Sequence, residues 1–126
     1  MFSLKVISTF AILALSSLAS ADHCNSTGQK ATQLVMDAIR EDAQLDSICS
    51  VLIGDYAGKE QRNTCIEIGD GKYDFTLRYK GDGWRNIATA ECKDGMRKEL
   101  DCERGGKQGY KNWWYRYVPL TLGCYR

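Results

Sequence analysis

The segment Tyr110-Lys-Asn-Trp-Trp-Tyr-Arg-Tyr117 interleaves five aromatic residues with amide and cationic side chains. That mixture suits sugar recognition, because an aromatic face stacks on the apolar C–H side of a sugar ring while amide and guanidinium groups answer its hydroxyls. Taken as one strand from Tyr110 to Val118 stopped by Pro119, alternation puts Lys111, Trp113, Tyr115 and Tyr117 on one face. Tyr110, Asn112, Trp114, Arg116 and Val118 share the other. A core this small cannot bury both faces equally. With Trp113, Tyr115 and Tyr117 turned inward, Trp114 lies outside beside Asn112 and Arg116, the first candidate glycan-binding group. The competing role for Trp114 is packing under a loop or at a dimer interface. A second candidate is the loop Gly81-Asp-Gly-Trp-Arg85, which displays Trp84 with Asp82, Arg85 and the following Asn86. There the competing role for Trp84 is a plug over the end of a hairpin.

Other chemistry is thin. The chain has one histidine, His23, and no C-x-x-C pair, no nucleophilic triad and no phosphate-binding glycine loop followed by a helix. No catalytic residue, metal or cofactor is therefore expected. The one enzymatic alternative is a small ribonuclease-like toxin with Glu67, Arg78 and His23 as its acid-base cast. His23 lies beside a chain end, where a solvated residue is the commoner outcome.

The elements that must hold these residues belong to an exported domain. Lys5, the apolar run Val6 to Leu15 and the Ala19-Ser20-Ala21 sequence form a secretory signal over residues 1–21. The expected mature, soluble and extracellular chain is a single domain at 22–126. All six cysteines (Cys24, Cys49, Cys65, Cys92, Cys102 and Cys124) fall in it, so three disulfides are expected, with the connectivity open. Lys5 is the only charge in the signal, so its loss takes the net charge from +1 to zero. No segment concentrates one sign, so neither nucleic acid nor a membrane is expected as a partner. Asn25-Ser26-Thr27 is an N-glycosylation sequon.

Ser26 or Thr27 is placed to cap an amphipathic helix carrying Ala31, Leu34, Val35, Ala38, Ile39 and Leu45 at helical spacing. Cys49–Ile53 and Cys65–Ile68 read as short strands. After Gly69-Asp70-Gly71, strict alternation of Tyr73, Phe75, Leu77 and Tyr79 with polar residues marks the second arm of a hairpin. Asn86 or Thr89 opens a second helix with Ala88, Cys92, Met96 and Leu100 on one side. A hairpin turn at Lys93-Asp94-Gly95 is the alternative, because Gly95 weakens a helix. The order helix-strand-strand-strand-helix-strand predicts an α+β fold, a small disulfide-stabilised domain with a mostly antiparallel sheet.

The spacing Glu91-Cys92-x-x-Gly95-Met96-x-x-Glu99-Leu100-x-Cys102-x-x-Gly105-Gly106, then Tyr110-x-Asn112-Trp113-x-Tyr115 and Gly123-Cys124, resembles small secreted fungal cysteine-rich proteins similar to the glycan-binding protein (lectin) of an ink-cap mushroom. Cys24, Cys49 before Leu52-x-Gly54-x-Tyr56, and Cys65 before Tyr73-x-Phe75 follow the same order of landmarks. The resemblance spans nearly all of 22–126, with its specific part in the C-terminal third. It departs where similar proteins carry Asp-Pro-Asn before the last cysteine and this chain has Val118-Pro119-Leu120. The resemblance implies a single α/β-containing domain with disulfides that binds a glycan or glycoprotein, with sheet edges available for a homodimer. It leaves the glycan open. A secreted effector that binds a host protein through the same aromatic strand is the alternative from a different class.

Overall fold

A computed structural model describes residues 23–121 and 124. The expected secretory signal at 1–21 and Gly123 of the expected Gly123-Cys124 pair lie outside the described residues. The fold is α+β. Helices α1 (Gln33–Arg40), α2 (Asp42–Leu52) and α3 (Thr89–Glu99) accompany strands β1 (Gly54–Tyr56), β2 (Gln61–Ile68), β3 (Gly71–Tyr79), β4 (Arg85–Ile87), β5 (Gly106–Tyr110) and β6 (Trp113–Leu120). Strands β2-β3-β6-β5 form an antiparallel four-stranded sheet, and β1 pairs with β4 in a separate two-stranded ribbon.

The helices cover one face of the large sheet and leave the other to solvent. Tyr73, Phe75, Leu77 and Tyr79 of β3 and Trp113, Tyr115 and Tyr117 of β6 are all buried, as their alternation predicts. Met36 and Ile39 of α1, and Leu45, Ile48, Cys49 and Leu52 of α2, close over them. Within the core Tyr56 meets the edge of Trp113 at 5.0 Å and Phe75 stacks on Tyr117 at 5.1 Å.

The first helix differs from the sequence expectation. It is two helices, broken at Glu41, whose φ of −56° and ψ of 138° are extended. Neither Ser26 nor Thr27 caps α1. Thr32 does, its hydroxyl accepting from the Val35 N–H at 3.2 Å. Of the expected apolar stripe Leu34 and Ala38 are exposed, while Met36 is buried. Cys49–Ile53 is not a strand, since Cys49 to Leu52 complete α2. Their apolar run was ambiguous in period, and the buried residues 45, 48, 49 and 52 have helical spacing. Asn86 lies in β4 and Ala88 is the N-cap of α3. The turn at Lys93-Asp94-Gly95 does not form, and those residues continue α3.

The aromatic segment is two strands, not one. Lys111 takes a φ of 57° and, with Asn112, turns β5 into β6. Pro119 does not stop β6, which runs to Leu120 with Pro119 opposite Tyr73. It is tolerated because β5 pairs with β6 only as far as Tyr117, so β6 has no partner from β5 at Pro119. Leu120 ends the strand, so Val118-Pro119-Leu120 lies within β6.

Three disulfides join Cys24 to Cys102, Cys49 to Cys92 and Cys65 to Cys124. They tie the N-terminal segment beyond α3, cross-link α2 to α3, and hold the C-terminal segment against β2. Such bonds form in oxidising compartments. No helix among the described residues is long and apolar enough to cross a membrane.

Candidate functional site

The open face of the large sheet is built by register. Gln61, Arg78, Trp114 and Gly109 stand opposite one another across β2, β3, β6 and β5. The next row is Asn63, Thr76, Arg116 and Lys107. Because residues paired across antiparallel strands share a face, these rows bring six side chains around one shallow cleft of about 480 Å³, lined by Gln61, Thr76, Arg78, Lys107, Trp114 and Arg116.

Trp114 is 39% exposed, the only large aromatic side chain on this face among the described residues that is so open. The indole lies over β5 because its cross-strand neighbour is Gly109. A β-carbon there would sit 3.0 Å from the indole Cζ3 atom. Lys80 Nζ and Lys107 Nζ stand 5.1 and 5.4 Å from the indole centroid, within cation–π range. Arg78 and Arg116 complete a cluster of four cations. Among the described residues none of the four forms a salt bridge, nor do Arg85, Arg104 and Lys111, whereas Lys30, Arg40, Lys59, Arg62, Lys72, Lys93, Arg97 and Lys98 all do. Asp74, a carboxylate on the same face, accepts from Asn63 Nδ2 at 2.9 Å and Thr76 Oγ1 at 3.4 Å.

Trp114 and Arg116 thus share one face, as expected. Asn112 does not join them there, because it occupies the β5–β6 turn. With its amide oxygen facing Arg85 it accepts from Nε at 3.2 Å and Nη2 at 3.1 Å, so those two candidate residues are engaged with each other. The Lys80 N–H donates to the Asn112 carbonyl at 2.9 Å, which brings the turn and the 81–85 loop to the Trp114 end of the sheet. Asp82 is outside the cleft and pairs with Lys59 at 3.5 Å. Trp84 is 75% exposed and plugs nothing. No aromatic ring pair among the described residues joins it to Trp114. Gln61, Thr76, Arg78, Lys80 and Lys107 are additions to the group expected from sequence. Arg78 and Lys80 were readable from the polar side and end of the β3 alternation, but Gln61 and Lys107 required strand boundaries that their polar surroundings concealed.

The acid-base cast of the enzymatic alternative is dispersed. Glu67 pairs with Lys72 at 3.6 Å near the hairpin end of β2, and Arg78 stands opposite Gln61 at the other end. Six residues of strand separate those positions, about 20 Å. His23 lies beside β5, where its carbonyl accepts from the Lys107 N–H at 3.2 Å. His23, Cys24 and Cys102 approach within 4.8 Å, but the two sulfurs are bonded to each other and offer no thiolate. Asn25 is exposed, and its side-chain amide donates to the Arg104 carbonyl at 3.2 Å. No protein-family model matches the chain, and no curated protein matches it.

Proposed function

We propose that this is a secreted, non-catalytic carbohydrate-binding protein whose ligand stacks on Trp114 across the open face of the four-stranded sheet. The observation that carries the reading is the placement of Trp114: a half-open indole laid over Gly109, with Gln61, Thr76 and Arg116 at hydrogen-bonding positions around it. The indole supplies stacking area and the amide, hydroxyl and guanidinium groups supply orientation. The resemblance to lectin-like fungal proteins points the same way, and the signal sequence with three disulfides supports an extracellular site of action.

The test is a glycan array probed with the oxidised 22–126 protein and its Trp114→Ala variant. The expected result is binding to a related set of sugars that the variant loses, with its thermal midpoint within about 3 °C of the parent, as for a surface substitution. A blank array from folded protein overturns the reading, and so does a large fall in the midpoint, which would make Trp114 a core residue. The second reading, a host-protein effector, rests on Trp84 standing 75% exposed next to Arg85, since Trp and Arg anchor many protein interfaces. Capture of a partner that persists after enzymatic deglycosylation of that partner favours it.

A further inference from the structure

The open face carries more charge than a neutral sugar can use. We propose that its ligand is an acidic saccharide, with a carboxylate or sulfate held by Arg78 and Arg116 beside the ring that stacks on Trp114. This rests on the reading of the face as a sugar site and names the class of sugar.

The argument begins with pairing. Eight of the eleven other described lysines and arginines find carboxylates, all but Arg85, Arg104 and Lys111, while Arg78, Lys107 and Arg116 line one cleft, with Lys80 beside its indole, and none of these four has one. The mature chain is formally neutral, so this is a segregation of charge and not an overall excess. A ligand covering the cleft strips water from these cations. A neutral ring would leave them without a counter-charge, which is unfavourable, whereas an anion converts the same desolvation into charge-assisted hydrogen bonds.

Geometry limits where the anion sits. Arg78 is directly across the β3–β6 ladder from Trp114, one strand spacing away, about 5 Å. Arg116 is two residues further along the same face of β6, about 7 Å. Both guanidinium groups therefore reach a substituent on the stacked ring or its immediate neighbour, in the forked geometry that fits carboxylate and sulfate. Lys80 and Lys107 lie over the indole itself and reinforce its attraction for a ligand with negative charge nearby. A single-stranded nucleic acid is the less fitting anion, because such sites offer aromatic platforms for successive bases and this face has one exposed indole.

The experiment is isothermal titration of the 22–126 protein with acidic saccharides and their neutral counterparts: oligogalacturonide against its methyl ester, and sialyllactose and sulfated lactose each against lactose. A twelve-residue oligothymidylate is included for comparison. The expected result is that an acidic member binds at least about tenfold more tightly than its counterpart, the ratio one charge-assisted hydrogen bond supplies. That preference shrinks between about 50 and 200 mM salt, and disappears in Arg78→Gln/Arg116→Gln, two exposed positions whose replacement leaves the thermal midpoint in place. Equal affinity for acidic and neutral members overturns the inference and leaves sugar binding standing. No binding to any saccharide overturns both. Oligothymidylate bound more tightly than every saccharide overturns the inference and assigns the face to nucleic acid. An acidic preference that survives the double substitution overturns the assignment to Arg78 and Arg116.

Discussion

Glu99 ends α3 with its side chain closed off from solvent, and its Oε1 has no hydrogen-bond partner among the described residues. It shares a crowded space at Gly106, where a β-carbon would lie 2.8 Å from the His23 carbonyl, 2.9 Å from Cys102 Sγ and 3.1 Å from Glu99 Oε1. Burial first, and the negative charge of Asp101 second, push the carboxyl up to about 7, against a small opposing pull from Lys98. A raised value in the folded state means that folding favours the protonated form. Its contribution is complete below the ordinary carboxylate range, near 4.5, and is lost as pH rises through about 7. Other carboxylates act oppositely. Asp42 is held low by its hydrogen bond to Lys93, and Glu60 by the Ala57 N–H, so their contributions fade as pH falls. The difference between variant and parent isolates Glu99. Glu99→Gln should gain relative stability across pH 5 to 8, by up to about 3 kcal/mol at the alkaline end. Urea unfolding at several pH values checks it, and parallel profiles for the two proteins would show that the carboxyl titrates normally.

At the scale of elements, the contact between α3 and β6 explains a residue that looked misplaced. Glycine in a helix interior is unfavourable by about 1 kcal/mol relative to alanine, and that cost is what made a turn at Gly95 a credible alternative. The structure supplies the reason for it: a β-carbon at Gly95 would stand 2.1 Å from Cζ of Tyr115, whose ring lies against the helix. Tyr115 is buried and its hydroxyl donates to the Glu91 carbonyl at 3.3 Å, so it has little freedom to retreat. Gly95→Ala should thus destabilise the fold by about 1–3 kcal/mol, the reverse of what helix propensity alone dictates. A denaturant midpoint that rises would show that α3 shifts easily on the sheet. The same contrast sorts what was legible in the sequence. Period-two alternation in β3 and β6 identified the inward residues, because one buried face imposes it on every position. The break at Glu41 was hidden, because residues on both sides of it favour helix and only tertiary packing separates them. The β5–β6 turn was hidden because Lys111 adopts a left-handed conformation without the glycine that usually announces one. Missing that turn placed Asn112 on the Trp114 face and left Lys107 out of the site.

For the whole molecule, the arrangement of bridges and the two-sided sheet answer one problem. The described helices lie on one side, so the sheet's outer face contributes little to the core, and Trp114 and its cations are open to solvent for that reason. The cost is a thin fold with one hydrophobic layer. The Cys49–Cys92 bridge compensates within that layer: it is fully buried, and it fastens α2 to α3 over a sequence separation of 43. Restricting a loop of that length in the unfolded chain stabilises the fold by about 4 kcal/mol in the chain-entropy account. Domains of this size commonly retain only about 5–15 kcal/mol in total, so the bridge is a large share. Cys49→Ala/Cys92→Ala should therefore lower the unfolding free energy by about 4 kcal/mol in urea titrations, with the other two bridges intact. The bridge is on the helical side, and the cleft residues belong to β2, β3, β5 and β6, so the folded fraction of that variant should bind ligand as the parent does. Unchanged stability would mean that the packing of α2 and α3 holds the layer without the bridge. Lost affinity in protein shown to be folded would mean that the helical layer sets the shape of the open face.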